Sequence, residues 1–440
     1  MNNQISLPPL TPKQLRSIER ILQKVHSSRG VLAVSKFEDF KRVEKFGGDV
    51  WISGRQVFVT NEAMDALRNL NQILQTVLLP CEFFSGDDVW NAVLSESKAN
   101  LSDGLRPTAP HFLEKTLDRI RELQGEFTYA ADFEGVDLED LDEIVLGRAR
   151  MCKPDPKVLS AFQRLGPLAT QPKSLLKQST WFMGAYRGTP SATRINFELD
   201  ACMASGVIGI AATICYENGF LRSRPLVHVK AHDPGGTAHT LRWSGEFSCP
   251  ELSFGGRRGV PIGINAELHE YLISECKFRQ IFAIVQRSER NEVEEAVARS
   301  IYWFAQAHRD SELAMRYVKL WSCIESFFAF ENTKLTERNA MGVATVLVFG
   351  DYHAVPVSEY EATRRRLKQF YAQRSKAIHR AEHRHIDAGL VRELSYWAAW
   401  CIFTFASFAD RGYGSLKQVW ENVERLDTLA LKHSRPIAQP

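Results

Sequence analysis

In the stretch Gln369-Phe-Tyr-Ala-Gln-Arg374-Ser-Lys-Ala-Ile-His379-Arg380, an arginine and a histidine stand with four residues between them inside a basic segment of helical spacing. These are the side chains that chemistry at a phosphate asks for. Imidazole, whose ordinary pKa is about 6.5, can accept or donate a proton near neutral pH. A guanidinium can hold the negative charge that builds on a reacting phosphate. Arg364, Arg365, Arg366, Lys368, Arg374, Lys376, Arg380 and Arg384 crowd this region, with Glu382 the only acid among them. The net charge of the whole chain is only +3, so attraction for a polyanion has to come from this local excess. Arg366, Lys376, Arg380 and Arg384 are the expected contacts to it.

At about 100° per residue, Leu367, Phe370, Tyr371, Arg374 and Ile378 share one stripe of a helix. Arg374 is thereby aimed at a helical interior or a subunit interface, where an unpaired guanidinium is costly. Glu325, at the margin of the apolar face of an upstream helix, is its expected partner. His379 lies five residues beyond Arg374, a rotation of about 140° in an unbroken helix. The two converge only if the helix ends or bends between them, or if two copies of the motif meet. A second pair, Arg380 and His385, overlaps the first and falls where the helix runs out. His379, His383 and His385 offer His-x3-His spacing for a metal, but no carboxylate or cysteine completes the set; no metal or other cofactor is expected.

The elements that must position this pair are helical. Apolar periodicity predicts helices over 292–308, 312–330 and 336–348. Another opens at the capping box Ser358-Glu-Tyr-Glu361 and runs through Arg374, and a last one, capped by Asp387, covers 388–408 and is apolar nearly all round. Long helices with short connections predict an antiparallel bundle over 287–440.

Upstream, residues 1–172 read as a mixed α/β region of unassigned sensing or regulatory role. Helices are expected over 11–26, 61–79 and 110–123, with short strands around 31–35 and 50–60. The acidic run 132–143 reads as a helix with one solvated face and lacks the spacing of a calcium loop. Residues 173–286 read as a mostly antiparallel β-rich domain. Ile195, Phe197 and Leu199 alternate with polar residues, Leu241, Trp243 and Phe247 share a parity, and turns are marked by Asp233-Pro-Gly-Gly236 and Gly255-Gly-Arg-Arg-Gly259. One helix is expected inside it, over 265–276. The fold class expected is thus α+β and multidomain, with a chain of 440 residues too long for one core.

Several function classes find no support. The chain has no Gly-Lys-Ser/Thr phosphate loop, no Gly-x-Ser-x-Gly elbow, no His-Glu-x-x-His and no dinucleotide fingerprint. Its eight cysteines show no Cys-x-x-Cys spacing and read as reduced thiols of a cytoplasmic protein. No secretory signal is visible at the start. The apolar stretches 201–216 and 396–408 fall short of the roughly 20 residues of a membrane span, so no membrane contact is expected.

A helix bearing Trp321-x-x-Ile-Glu325-Ser, a capped helix carrying Tyr371-x-x-Arg374-Ser-Lys-Ala-Ile-His379, and an apolar closing helix follow one another in an order that resembles the HEPN superfamily, closest to its Apea-like branch. The resemblance covers roughly residues 290 to 410. It implies an all-α bundle and a metal-independent endoribonuclease working on RNA as a homodimer, in anti-phage defence or as a toxin-like effector answering to a phage-derived trigger or an antitoxin. By the same resemblance His379 is the proton-transfer residue, Arg374 the phosphate stabiliser, and Ser375 a supporting hydrogen-bonder. Ala381 stands where some family members carry a tyrosine, and Arg380 where many carry glycine. The alternative is a non-catalytic bundle of the same family that dimerises or binds RNA or a partner.

Overall fold

The computed structural model describes residues 10–26, 31–33, 46–52, 55–79, 81–103, 105–163, 180–217, 228–229, 239–245, 248–254, 262–274, 277–287, 289–310, 312–328, 334–380 and 384–433. The chain divides into two compact units. The first comprises Met1–Phe127, Ala185–Phe197 and Ser244–Glu246, and the second comprises Thr128–Gly184, Glu198–Trp243 and Phe247–Pro440. The boundaries expected from sequence at 172 and 286 do not coincide with this division, because the β-rich segments and the C-terminal helices share one unit.

In the first unit, α1 (Pro12–Val25) opens with a capping box in which the Thr11 hydroxyl accepts from the Gln14 amide. Strands β1 (Val31–Ala33), β2 (Phe46–Ile52) and β3 (Arg55–Thr60) form an antiparallel sheet in the order β1-β3-β2. Helices α2 (Asn61–Leu78), α3 (Gly86–Ser102) and α4 (Ala109–Glu122) follow. Ile18, Leu22, Leu70, Val93, Phe112 and Ile120 fill the core between these helices. Sequence periodicity missed α3, whose apolar residues are interrupted by Ser95, Glu96 and Lys98; its start is fixed by the Ser85–Asp88 capping box.

Next come β4 (Gly125–Glu134, mostly in the second unit), β5 (Val136–Leu138), β6 (Glu143–Leu146), β7 (Ala149–Cys152), α5 (Pro156–Gln163), β8 (Trp181–Gly188, whose residues from Ala185 on belong to the first unit), α6 (Pro190–Glu217, whose residues up to Phe197 belong to the first unit), β9 (His228–Val229), β10 (His239–Ser244, all but its last residue in the second unit), β11 (Ser248–Phe254) and β12 (Ile262–Ile264). A seven-stranded sheet runs β11-β10-β4-β8-β7-β6, with β9 on β4, and β12 pairs β5 in parallel. The acidic run is therefore not a helix. Its ends belong to β4 and β6, and β5 within it, Val136–Leu138, is held by Ile262–Ile264, more than a hundred residues away.

The segment 173–286 is also corrected. Its strands β10 and β11 exist, but Ile195, Phe197 and Leu199 lie in α6, a helix of 28 residues. Phe197 is buried while Ile195 and Leu199 are 47% and 45% exposed. Residues i and i+4 share a helix face and i+2 lies across from them, so the alternation marked two faces of a helix. By length and composition α6 could cross a membrane, which the shorter apolar run did not suggest, yet 83% of its most apolar window is buried within the protein. Gly206 explains part of that burial: a β-carbon there would stand 2.7 Å from the Ile301 carbonyl oxygen, so the helix backbones approach closely. The turns at 233–236 and 255–259 lie outside the described residues.

Helices α7 (Ala266–Ser274) and α8 (Phe278–Gln286) lead into the C-terminal helices α9 (Glu292–Arg309), α10 (Leu313–Phe328), α11 (Leu335–Phe349), α12 (Tyr360–Arg380), α13 (Ala388–Asp410) and α14 (Leu416–His433). Asn291 caps α9 through a box with Glu294, and Asp387 caps α13 by accepting the Leu390 amide at 2.8 Å. The expected box at Ser358 is absent: a 3-10 turn, Val357–Glu359, feeds α12 instead. Helix α10 packs on α9, α12 and α13, and α13 is buried along most of its length. Aromatic rings knit the centre, with Phe327 stacked on Phe405 at 4.0 Å and Phe370 tilted against Trp397 at 5.2 Å. The described cysteines 81, 152, 202, 215, 323 and 401 are all free thiols.

Candidate functional site

Helix α12 is continuous from Tyr360 to Arg380. Its stripe begins in the core: Leu367 and Phe370 are fully buried, and the Tyr317 hydroxyl donates to the Phe370 carbonyl at 3.0 Å. Farther along, Tyr371 meets the Trp321 ring edge-on at 5.8 Å, and Arg374 reaches the rim of the bundle. Arg374 Nη2 donates to Glu325 Oε2 at 3.0 Å, and Trp321 Nε1 donates to Glu325 Oε1 at 3.1 Å. The two charged side chains are 21% and 19% exposed. Arg374 Nε is buried and has no acceptor.

One turn on, the stripe leaves the core, and Ile378 is 44% exposed. His379 and Arg380 occupy the exposed last turn of α12. Within one chain the unbroken helix turns His379 about 140° from Arg374, so no single copy brings the pair together. Ser375 is half-buried, with no side-chain hydrogen bond among the described residues. Arg384 and His385 follow in an exposed turn, while Ala381, Glu382 and His383 lie outside the described residues. Among the described residues no group of three His, Cys, Asp or Glu side chains is placed to hold a metal.

The basic field is smaller than the sequence suggests. Arg366, expected to touch a polyanion, grips Glu393 of α13 through Nε and Nη2 at 2.8–3.3 Å and covers the Phe370 ring at 4.8 Å. The Glu393 hydrogen bonds raise its pKa above the ordinary arginine value. Arg364 pairs with Asp427 at 3.1 Å, and Lys368 pairs with Glu337 at 2.6 Å. The Lys368 hydrogen bond holds the Glu337 carboxyl below the usual range. Local sequence shows a single acid among these cations, but α10, α11, α13 and α14 supply four more by tertiary packing. Among the described residues, the cations of this cluster left without an acid partner are Arg365, whose Nε donates to the Glu361 carbonyl, and the helix end with Lys376, Arg380 and Arg384, beside which His379 and His385 are also exposed. Sequence reasoning found Glu325 but not Glu337, Glu393 or Asp427, none of which lies near the motif in the chain. The Trp321–Glu325 spacing of four residues was the one local hint that the carboxylate is held in place.

Comparison of the chain with protein-family models, with curated proteins and with solved structures gives no significant match.

Proposed function

We propose that the C-terminal bundle is a HEPN-type, metal-independent endoribonuclease whose RNA cleft is completed by a second copy of the chain. The observation that carries this reading is the rim of α12. Arg374, partly exposed and anchored by Glu325, stands one turn before an exposed helix end that presents His379 among Lys376, Arg380 and Arg384. Exposed Ile378, on the same stripe as Arg374, gives a second copy an apolar surface to pack against.

In the proposed reaction His379 takes the proton of a ribose 2′-hydroxyl, whose oxygen attacks the adjacent phosphorus. Arg374 stabilises the charge on the non-bridging oxygens, and the bond to the 5′-oxygen breaks as a second, protonated His379, from the other copy of the chain, gives that oxygen its proton. The products are a 2′,3′-cyclic phosphate and a 5′-hydroxyl. Ser375 is a supporting hydrogen-bonder. The setting proposed is cytoplasmic, in anti-phage defence or as a toxin-like effector, with a phage-derived trigger or an antitoxin as the controlling partner.

A second reading, a non-catalytic bundle that binds RNA or a partner, is favoured by two features: Arg374 already has an acid partner, and the unbroken helix turns His379 away from it. Incubating the purified chain with total RNA, with and without EDTA, beside Arg374→Ala and His379→Ala separates the two. Cleavage that survives EDTA and disappears in both variants supports the nuclease; RNA left intact in every reaction, trigger conditions included, sinks it.

A further inference from the structure

A cavity of about 540 Å³ opens in the second unit between strand β6 and helices α7 and α8. Its volume falls within the roughly 300–1,000 Å³ of small-molecule sites. Its walls are apolar and come from five elements, with Leu146, Ile208, Ile264, Leu272 and Phe278 all buried. The Gln286 carboxamide donates to the Leu146 carbonyl and closes the end beside the β6–β7 turn. A side chain at Gly147 would collide with that carboxamide, and the positive φ of 67° there also suits glycine.

Charge at this cavity is one-sided. The lining carries one acid, Glu143, already paired with Arg150 at 3.4 Å. It also carries Arg279 and His269, and neither side chain makes an ion pair or hydrogen bond among the described residues. An apolar chamber with an unengaged guanidinium is complementary to a molecule with an apolar body and one anionic head. We infer that this cavity binds an amphipathic carboxylate of fatty-acid type, its chain against Leu272 and Phe278 and its head at Arg279. The site is distinct from the α12 rim and stands whether or not the bundle cleaves RNA.

The test is calorimetric titration of the full chain with dodecanoate, kept below its micelle concentration, beside dodecyltrimethylammonium, which has the same tail and the opposite charge. Two variants at exposed positions of α8 accompany it: Arg279→Glu reverses the head-group contact, and Ala283→Trp fills the chamber. Dodecanoate is expected to saturate one site per chain, and the cation and both variants to bind about tenfold more weakly or worse, with melting temperatures unchanged. Non-saturable binding, equal binding of the cationic amphiphile, or undiminished affinity in either folded variant overturns the assignment.

Discussion

Arg374 on α12 and Glu325 on α10 are joined at 3.0 Å, and the carboxylate is held a second time by the Trp321 indole. The pair is neither a solvated surface contact nor a sealed one. Removing Glu325 leaves a half-buried guanidinium without its acceptor. Glu325→Ala is expected to cost about 1–2 kcal/mol in urea unfolding, and Glu325→Gln, which still accepts from the indole, less than half of that. A double-mutant cycle with Arg374→Ala showing no coupling would remove the pair from the forces that hold α10 to α12.

The Tyr360 hydroxyl, fully buried, donates to Asp427 at 2.5 Å and stands 3.1 Å from Thr345. Burial and the neighbouring Asp427 carboxylate push the phenol pKa upward, so the group stays a donor at all working pH values. Tyr360→Phe is expected to destabilise the bundle by about 1–2 kcal/mol, with α14 exchanging its amide protons sooner than α10 or α13. Uniform acceleration across all helices would contradict a local role.

His26 at the end of α1 is buried, and neither ring nitrogen has a hydrogen-bond partner. Burial, with a smaller contribution from Arg106, lowers its pKa from the ordinary histidine value. The unfolded chain therefore binds a proton below about pH 6.5 that the folded chain refuses, and stability falls as pH drops through that window until the lowered value is reached. Thermal unfolding between pH 7.5 and 5 is expected to show this decline in the wild type and a shallower one in His26→Phe. Parallel slopes would assign the effect elsewhere.

Two inactive variants test whether the cleft is shared. If Arg374 of one copy serves His379 of another, mixing Arg374→Ala with His379→Ala protein and allowing exchange restores cleavage. Half of the random dimers are then mixed and each has one intact site, giving about a quarter of wild-type activity. No recovery in a mixture shown to exchange subunits would tie both residues to the same chain.

Much of the bundle was legible because its helices are long and their apolar periodicity is strong. The stripe Leu367–Phe370–Arg374 and the face carrying Glu325 match by periodicity alone. The failures share a cause. Ile195, Phe197 and Leu199 fit a period of two over five residues and a helix over twenty-eight, and only the longer window decides. The acidic run became strand through a parallel partner at Ile262–Ile264, and the basic cluster was neutralised by Glu337, Glu393 and Asp427. Each of those pairings is distant along the chain and leaves no local trace.

The uninterrupted course of α12 sets how activity would scale. Under the proposed reading a lone chain is inert, and its output depends on encounters between chains. Below the dissociation constant of the pair, cleavage would then rise with the square of protein concentration. Dilution would silence the protein without any inhibitor, and a modest rise in expression would be enough to arm it.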